Sequence, residues 1–155
     1  MRLQIIAIGQ KMPAWVADAY ADYAGRMPPE LRMELRELPP GDRGRGGNPT
    51  RARDIEGQRI IKALPAGART VALDLGGRQE TTERLAQRLS DWMLDGREIA
   101  LVIGGPDGLA PEVLAAAEHR WCVSRLTLPH MLVRVVLAEQ LYRAWSILAN
   151  HPYHR

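Results

Sequence analysis

Short runs of aliphatic residues, each no longer than a strand, alternate with stretches of helical period along the whole chain, and this alternation constrains the fold more than any other feature. Arg2 to Ile8 is aliphatic and stops at Gly9, so it reads as a buried strand. Pro13 suits the first turn of a helix running to about Arg26, with Trp15, Ala19 and Tyr23 recurring on one face before Met27-Pro28-Pro29 stops it. Leu31 to Leu38 alternates apolar and charged residues, the period of a half-exposed strand. Asn48 and Pro49 form an N-cap and first-turn proline for a helix through Leu64. Arg69 to Leu75 is a third strand, Thr81 or Thr82 opens a helix through Met93, and Glu98 to Ile103 is a near-continuous apolar strand. A short helix from Pro111 to Glu118 leads to a fifth core strand, Trp121 to Leu128, and Pro129-His130 breaks it before a long helix from about Leu132 to Asn150.

Such alternation implies an α/β domain with a mostly parallel sheet covered by helices on both faces. At 155 residues the chain suits one domain, 1–155, able to build a core without staples. No internal repeat or separate linker interrupts it. The single Cys122 excludes a disulfide scaffold and a zinc ribbon, so no metal is expected and a reducing compartment is favoured. The apolar runs are too short for a signal peptide or membrane span, which points to the cytoplasm.

The net charge of +3 conceals an asymmetry. From His119 to Arg155 five Arg face one acid, Glu139, giving +4 and leaving −1 for residues 1–118. All four histidines, 119, 130, 151 and 154, lie in that stretch. The basic side chains comprise 19 Arg and only two Lys, a bias that suits bidentate phosphate contacts and equally suits a GC-rich coding sequence. The clustering itself points to a polyanion partner.

Ligands of parallel sheets bind at the carboxyl ends of strands. Three such ends are unusual here: Leu73 to Gly77, Gly104 to Gly108, and Leu126 to His130. Gly104-Gly105-Pro106-Asp107-Gly108 lacks side chains that hinder close approach, so it is either a backbone cradle for an adenine or ribose edge or simply a tight turn before a helix. It matches neither G-x-G-x-x-G nor a P-loop, which disfavours a nucleotide held by its phosphates. His130 sits where it can meet a ligand or cap the last helix. No G-x-S-x-G elbow supports a hydrolase. The stretch Gly41 to Asn48 has four Gly, two Arg and no apolar side chain, and is expected to be a mobile surface loop. The last helix is apolar over much of its circumference, which complete burial or a twofold dimer contact would satisfy. The tail His151 to Arg155 is polar and not expected in the core. It is either a disordered terminus or a dense set of groups suited to an extruded RNA base, with Tyr153 stacking and Arg155 on phosphate.

Several of these segments together resemble the bacterial RlmH family, the 23S rRNA (pseudouridine-1915-N3) methyltransferases. They are Leu3 to Trp15, Leu73-Asp74, Asp95-Gly96-Arg97, Ile103 to Leu109, Leu126 to His130, Leu141 to Ile147 and Asn150 to Arg155, and the likeness spans essentially the whole chain. The resemblance implies a SPOUT fold with a C-terminal trefoil knot, S-adenosylmethionine as cofactor, 23S rRNA in the large subunit or ribosome as partner, and a homodimer. Carried over by position, the cofactor contacts it implies are Leu73, Gly104, Val123, Ser124, Arg125, Leu126, Thr127 and Leu128. For the chemistry this would require, His154, Tyr153 and Arg155 are the candidate catalytic residues: His154 or His130 could be the base, Tyr153 and Arg155 would hold the uracil ring or its phosphate, and solvent is an alternative proton acceptor. The alternative is a non-catalytic RNA-binding α/β module.

Overall fold

The computed structural model describes all 155 residues. Five strands, β1 (Arg2–Ile8), β2 (Arg32–Leu38), β3 (Arg69–Gln79), β4 (Ile99–Ile103) and β5 (His119–Cys122), form one sheet in the order β2-β1-β4-β3-β5. Every pairing is parallel. Five helices connect them: α1 (Ala14–Arg26), α2 (Pro49–Ala63), α3 (Thr82–Asp95), α4 (Pro111–Ala116) and α5 (His130–Leu148).

The pleat of β1 sorts the two cores. Leu3, Ile5 and Ala7 point to one face, where Tyr20 of α1, Leu85 and Leu89 of α3, and Leu137 and Leu141 of α5 cover them. Ile6 and Ile8 point to the other, against Ile60 of α2 and Val113 of α4. Strands buried on both faces must be apolar throughout, which is why β4 is buried at every position. The caps follow the sequence. The Asn48 side chain accepts from the amides of Thr50 and Arg51, Thr81 accepts from Arg84, and Gly96 ends α3 in the left-handed region at φ 78°.

Five expectations are corrected. In α1 the buried face carries Val16 and Tyr20, while Trp15 is 62% exposed, so the apolar stripe lies one residue further along. β5 ends at Cys122 instead of reaching Leu128, because beyond Cys122 the chain leaves β3, and Leu126 stands 76% exposed. β3 runs to Gln79 past an irregularity between Leu73 and Arg78, where Asp74 to Gly77 bow out of the ladder. The segment 41–47 is a surface loop, with Asp42 and residues 44–47 exposed, but it is anchored: the Gly41 amide donates to Glu56, and Arg43 is held by Glu56 and Asp107. The tail folds back in a 3₁₀ turn, Pro152–His154, and Tyr153 packs against the larger core.

Candidate active site

The ends of β3, β4 and β5 open onto one cavity of about 570 Å³. It is the size expected of a small-molecule site. Leu73 closes β3, and the bow after it brings Asp74 and Leu75 to the rim. Gly104 to Gly108 follow β4 and form a second wall. A Cβ on Gly104 would sit 2.6 Å from the Gly108 carbonyl oxygen, so only glycine lets this wall fold on itself. The irregular chain after β5 supplies Val123, Ser124, Leu126, Thr127 and Leu128, and the first turn of α5 supplies His130 and Val133.

All three strand ends singled out in the sequence therefore meet, and of the eight residues carried over as cofactor contacts, seven line this cavity. Arg125 does not; it is exposed. Sequence reasoning missed Trp121 and Val133, whose apolar side chains read only as core. It also missed Asp107, which with Asp74 supplies the carboxylates of the rim.

The lining is half apolar and holds two carboxylates but no Lys or Arg. Both carboxylates are tethered from outside. Arg120 donates to Asp74 at 2.6 Å, and Arg43 donates to Asp107 at 2.7 Å. With each carboxylate paired to an arginine the rim is close to neutral, and the lining offers no cationic side chain to hold a phosphate. No group of three or more His, Cys, Asp or Glu side chains is placed to hold a metal ion.

His130 does not cap α5; no side chain caps that end, and the imidazole faces the cavity. Burial, and then the nearby Arg134 guanidinium, lower its pKa below the ordinary histidine value, although Glu56 opposes them. The ring is thus neutral near pH 7 and able to accept a proton. Arg134 lies one turn along and is fully buried. That guanidinium donates to Glu37 at 2.5 Å and to the Gly9 carbonyl at 2.9 Å, binding the start of α5 to the ends of β2 and β1. Gly9, at φ 115°, permits the approach: a Cβ there would lie 3.0 Å from the Met131 methyl and 3.3 Å from His130 Nε2.

The tail residues lie elsewhere. Asn150, at φ 54°, turns the chain back along α5. The Tyr153 ring sits 4.6 Å from that of Tyr142, and its hydroxyl donates to Glu139 at 2.9 Å. Burial, and then the hydrogen bonds with Tyr23 and Glu139, hold the phenol well above its usual pKa, so it acts as a neutral donor. His154 Nδ1 lies 3.2 Å from the Ser146 hydroxyl, which itself donates to the Arg143 carbonyl at 2.7 Å. Nδ1 must therefore be the donor, which leaves Nε2 as the basic nitrogen. Arg155 is exposed and carries no ion pair. From His130 to Ser146 is 16 helical residues, about 24 Å at 1.5 Å per residue. Tyr153 comes nearer, at Glu139, but no tail residue lines the cavity of its own chain.

The charge asymmetry resolves the same way. Of the five Arg after His119, Arg120, Arg134 and Arg143 are spent on Asp74, Glu37 and Glu139. Arg125 and Arg155 remain free for a partner. No helix is long and apolar enough to cross a membrane.

Comparison with known proteins bears on this arrangement. Residues 1–154 match the family described as "Predicted SPOUT methyltransferase". The chain is 54% identical over its full length to the ribosomal RNA large subunit methyltransferase H of Alkalilimnicola ehrlichii, covering 99% of that protein. It is 57% identical, again over its full length, to the protein of the same name from Acidithiobacillus ferrooxidans, covering 98% of it. Among solved structures, a probable methylase family protein from Haemophilus influenzae superposes with a TM-score of 0.57 at 12% identity, covering 99% of this chain and 70% of the other. At that identity the likeness speaks for the fold alone.

Proposed function

Since the chain belongs to the SPOUT methyltransferase family, we propose that it methylates large-subunit ribosomal RNA with S-adenosylmethionine, at N3 of the pseudouridine numbered 1915 in 23S rRNA. The observation that carries this reading is the cavity at the ends of β3, β4 and β5, apolar on one side, with paired carboxylates at the rim and free of phosphate-binding side chains. The residues present fit the cofactor. Backbone at Leu73, Gly104, Val123, Ser124, Leu126, Thr127 and Leu128 offers donors and acceptors for an adenine, and the absence of Lys and Arg from the lining leaves the site open to a sulfonium. Arg125 lies outside the lining, so the reading reassigns it to RNA. The trefoil knot belongs to the same reading and rests on the family likeness alone.

Bound S-adenosylmethionine supplies a methyl group already activated by sulfonium charge. The chain must then align the nucleophile, exclude water and remove the N3 proton. His154 Nε2 and the neutral His130 ring are the two bases on offer. Tyr153 and Arg155 would hold the uridine ring and its phosphate. Because no tail residue lines the cavity of its own chain, and His154 lies about 24 Å along α5 from His130, the reading calls for a homodimer in which one copy's tail meets its partner's cavity. Half-buried Leu132, Val135 and Val136 along α5 supply an apolar strip for that contact.

Incubation with labelled S-adenosylmethionine and ribosomes lacking the modification tests the proposal. Label should map to one pseudouridine of the large subunit. Incorporation at another nucleotide overturns the substrate, and none at all overturns the activity.

A further inference from the structure

We propose that Arg43 is a positioning residue for the cavity: anchored on the buried carboxylate of Glu56, it holds Asp107 and so fixes the Gly104–Gly108 wall in its ligand-ready shape. The inference rests on the methyltransferase reading for its ligand, but the mechanical part stands on geometry alone.

Glu56 of α2 is 2% exposed, and it lies beneath the cavity wall rather than facing solvent. A Cβ on Gly105 would stand 3.2 Å and 3.3 Å from its two carboxylate oxygens, so the wall rests directly on them. One of those oxygens also accepts the Gly41 amide at 2.9 Å. The Arg43 guanidinium closes the arrangement. Its two terminal nitrogens donate to Glu56 at 2.5 Å and 2.9 Å, and its Nε donates to Asp107 at 2.7 Å. One planar cation thus ties residues 41–47, helix α2 and the cavity wall together. A bidentate fork with a third donor is a geometry that Lys does not reproduce.

The surrounding glycines are arranged for this closeness. A Cβ on Gly41 would meet the Ala52 carbonyl oxygen at 2.5 Å, and one on Gly57 would meet the Ala110 Cβ at 2.6 Å. Segment 41–47 and the chain just after the wall are therefore both pressed against α2. The glycine-rich stretch acts as a strap over the wall. Its arginine at 43 is saturated by carboxylates and so is not available to RNA.

Amide hydrogen exchange on the unliganded full-length protein tests the strap without catalysis, and calorimetry with S-adenosylhomocysteine tests its consequence. In Arg43→Gln the amides of Gly104, Gly105, Asp107 and Gly108 should exchange about tenfold faster, and S-adenosylhomocysteine should bind about tenfold more weakly. A wall in its binding shape a tenth of the time lowers apparent affinity by that factor. The KM for the methyl donor should rise with kcat little changed. Arg43→Lys should recover only part of the loss. Asp107→Ala leaves the Arg43–Glu56 pair intact and removes the acceptor that links it to the wall; because Asp107 also lines the cavity, its readout is exchange alone, which should quicken about three- to fivefold at the wall with an unchanged melting temperature. Arg2→Gln, which removes an exposed pair with Glu98 far from the cavity, should change neither measurement. If Arg43→Gln does not fold, exchange in Asp107→Ala decides. Unchanged exchange at the wall in the folded variants, or loosening spread evenly over the chain, overturns the proposal. A wild-type protein that does not bind S-adenosylhomocysteine overturns the methyl-donor reading instead, and the exchange comparison still decides the strap.

Discussion

The two ends of α5 carry similar chemistry and hold it in opposite ways. At the amino end His130 and Val133 face open space, and fully buried Arg134 braces them from behind. At the carboxyl end His154 and Tyr153 lie against their own helix, bonded to Ser146 and Glu139. The first is a preformed concavity that awaits a ligand. The second is a set of side chains whose first partners are internal, leaving only the Nε2 edge of His154 and the free Arg155 to act outward. Neither end is a complete site, and the difference teaches that proximity in sequence to the last helix is not proximity in space.

The largest effect should come from separating the two ends genetically. Removing His151 to Arg155 should cut methylation by about 10²- to 10⁴-fold, the range of a lost proton-transfer group, while S-adenosylhomocysteine binding stays within about twofold, since the cavity lining contains no tail residue. Gly104→Val should do the reverse and abolish binding, because its side chain collides with the Gly108 carbonyl. Mixed after unfolding and refolding, the two dead proteins should recover about a quarter of wild-type turnover. Half of the random dimers would then carry one good site of two. Recovery of nothing would break the comparison, because each end would then belong to a site within one chain.

Stability should divide the ends as well. Arg134→Met strips Glu37 and two strand-end carbonyls of their donor and should cost about 3 kcal/mol in urea unfolding. Tyr153→Phe loses one partly exposed hydrogen bond to Glu139 and should cost about 1 kcal/mol. Equal costs would mean that the tail is as integral to the fold as the brace.

The fold was legible in the sequence wherever burial is two-sided. β1 and β4 announce themselves as unbroken aliphatic runs, and Asn48, Thr81 and Gly96 announce helix ends through local hydrogen bonding or backbone conformation that needs no tertiary context. The cavity was legible as three odd strand ends because glycine and a Pro-His break are local signals. What failed was whatever depends on long-range partners. Val123 to Leu128 has strand composition but no neighbour to pair with, because β3 rejoins β5 after its bow only as far as Gln79, opposite Cys122. Segment 41–47 has no apolar side chain, yet one buried carboxylate on another element holds it. Tyr153 lies in a polar string, and only the arrangement of Tyr23, Tyr142 and Glu139 gives it a place to pack.

A pH titration sharpens the amino end alone. The folded pKa of His130 lies below its ordinary value of 6.5, because burial and Arg134 disfavour the charged ring. Below pH 6.5 the unfolded chain therefore binds the proton more readily than the folded one, so stability falls as pH falls. The contribution is fully present above 6.5 and is lost as the pH drops through the lower folded value. His130→Gln should remove that part of the acid limb, so the difference between variant and wild type should be flat above pH 6.5 and favour the variant below it. A difference that favours the wild type on acidification would mean that the ring is charged in the fold and unsuited to act as a base.

The smallest effect on stability should come from Leu126, where two descriptions of the same residue diverge most. As the interior of a fifth strand it would be core, and its truncation would cost about 2–5 kcal/mol. As an exposed lip, 76% open to solvent beside the cavity, it has little burial to lose, and Leu126→Ser should shift stability by no more than about 0.5 kcal/mol. Its contribution should appear only when something occupies the cavity, because a ligand or a partner subunit then removes that apolar surface from water. At about 25 cal/mol per Å², covering some tens of Å² corresponds to roughly a three- to tenfold loss of S-adenosylhomocysteine affinity in the variant. Unfolding in urea with and without the ligand separates the two: the variant and wild-type curves should coincide without it and part when it is added. Coincident curves in both conditions would remove Leu126 from the ligand's surroundings, and curves already apart without ligand would return it to the core.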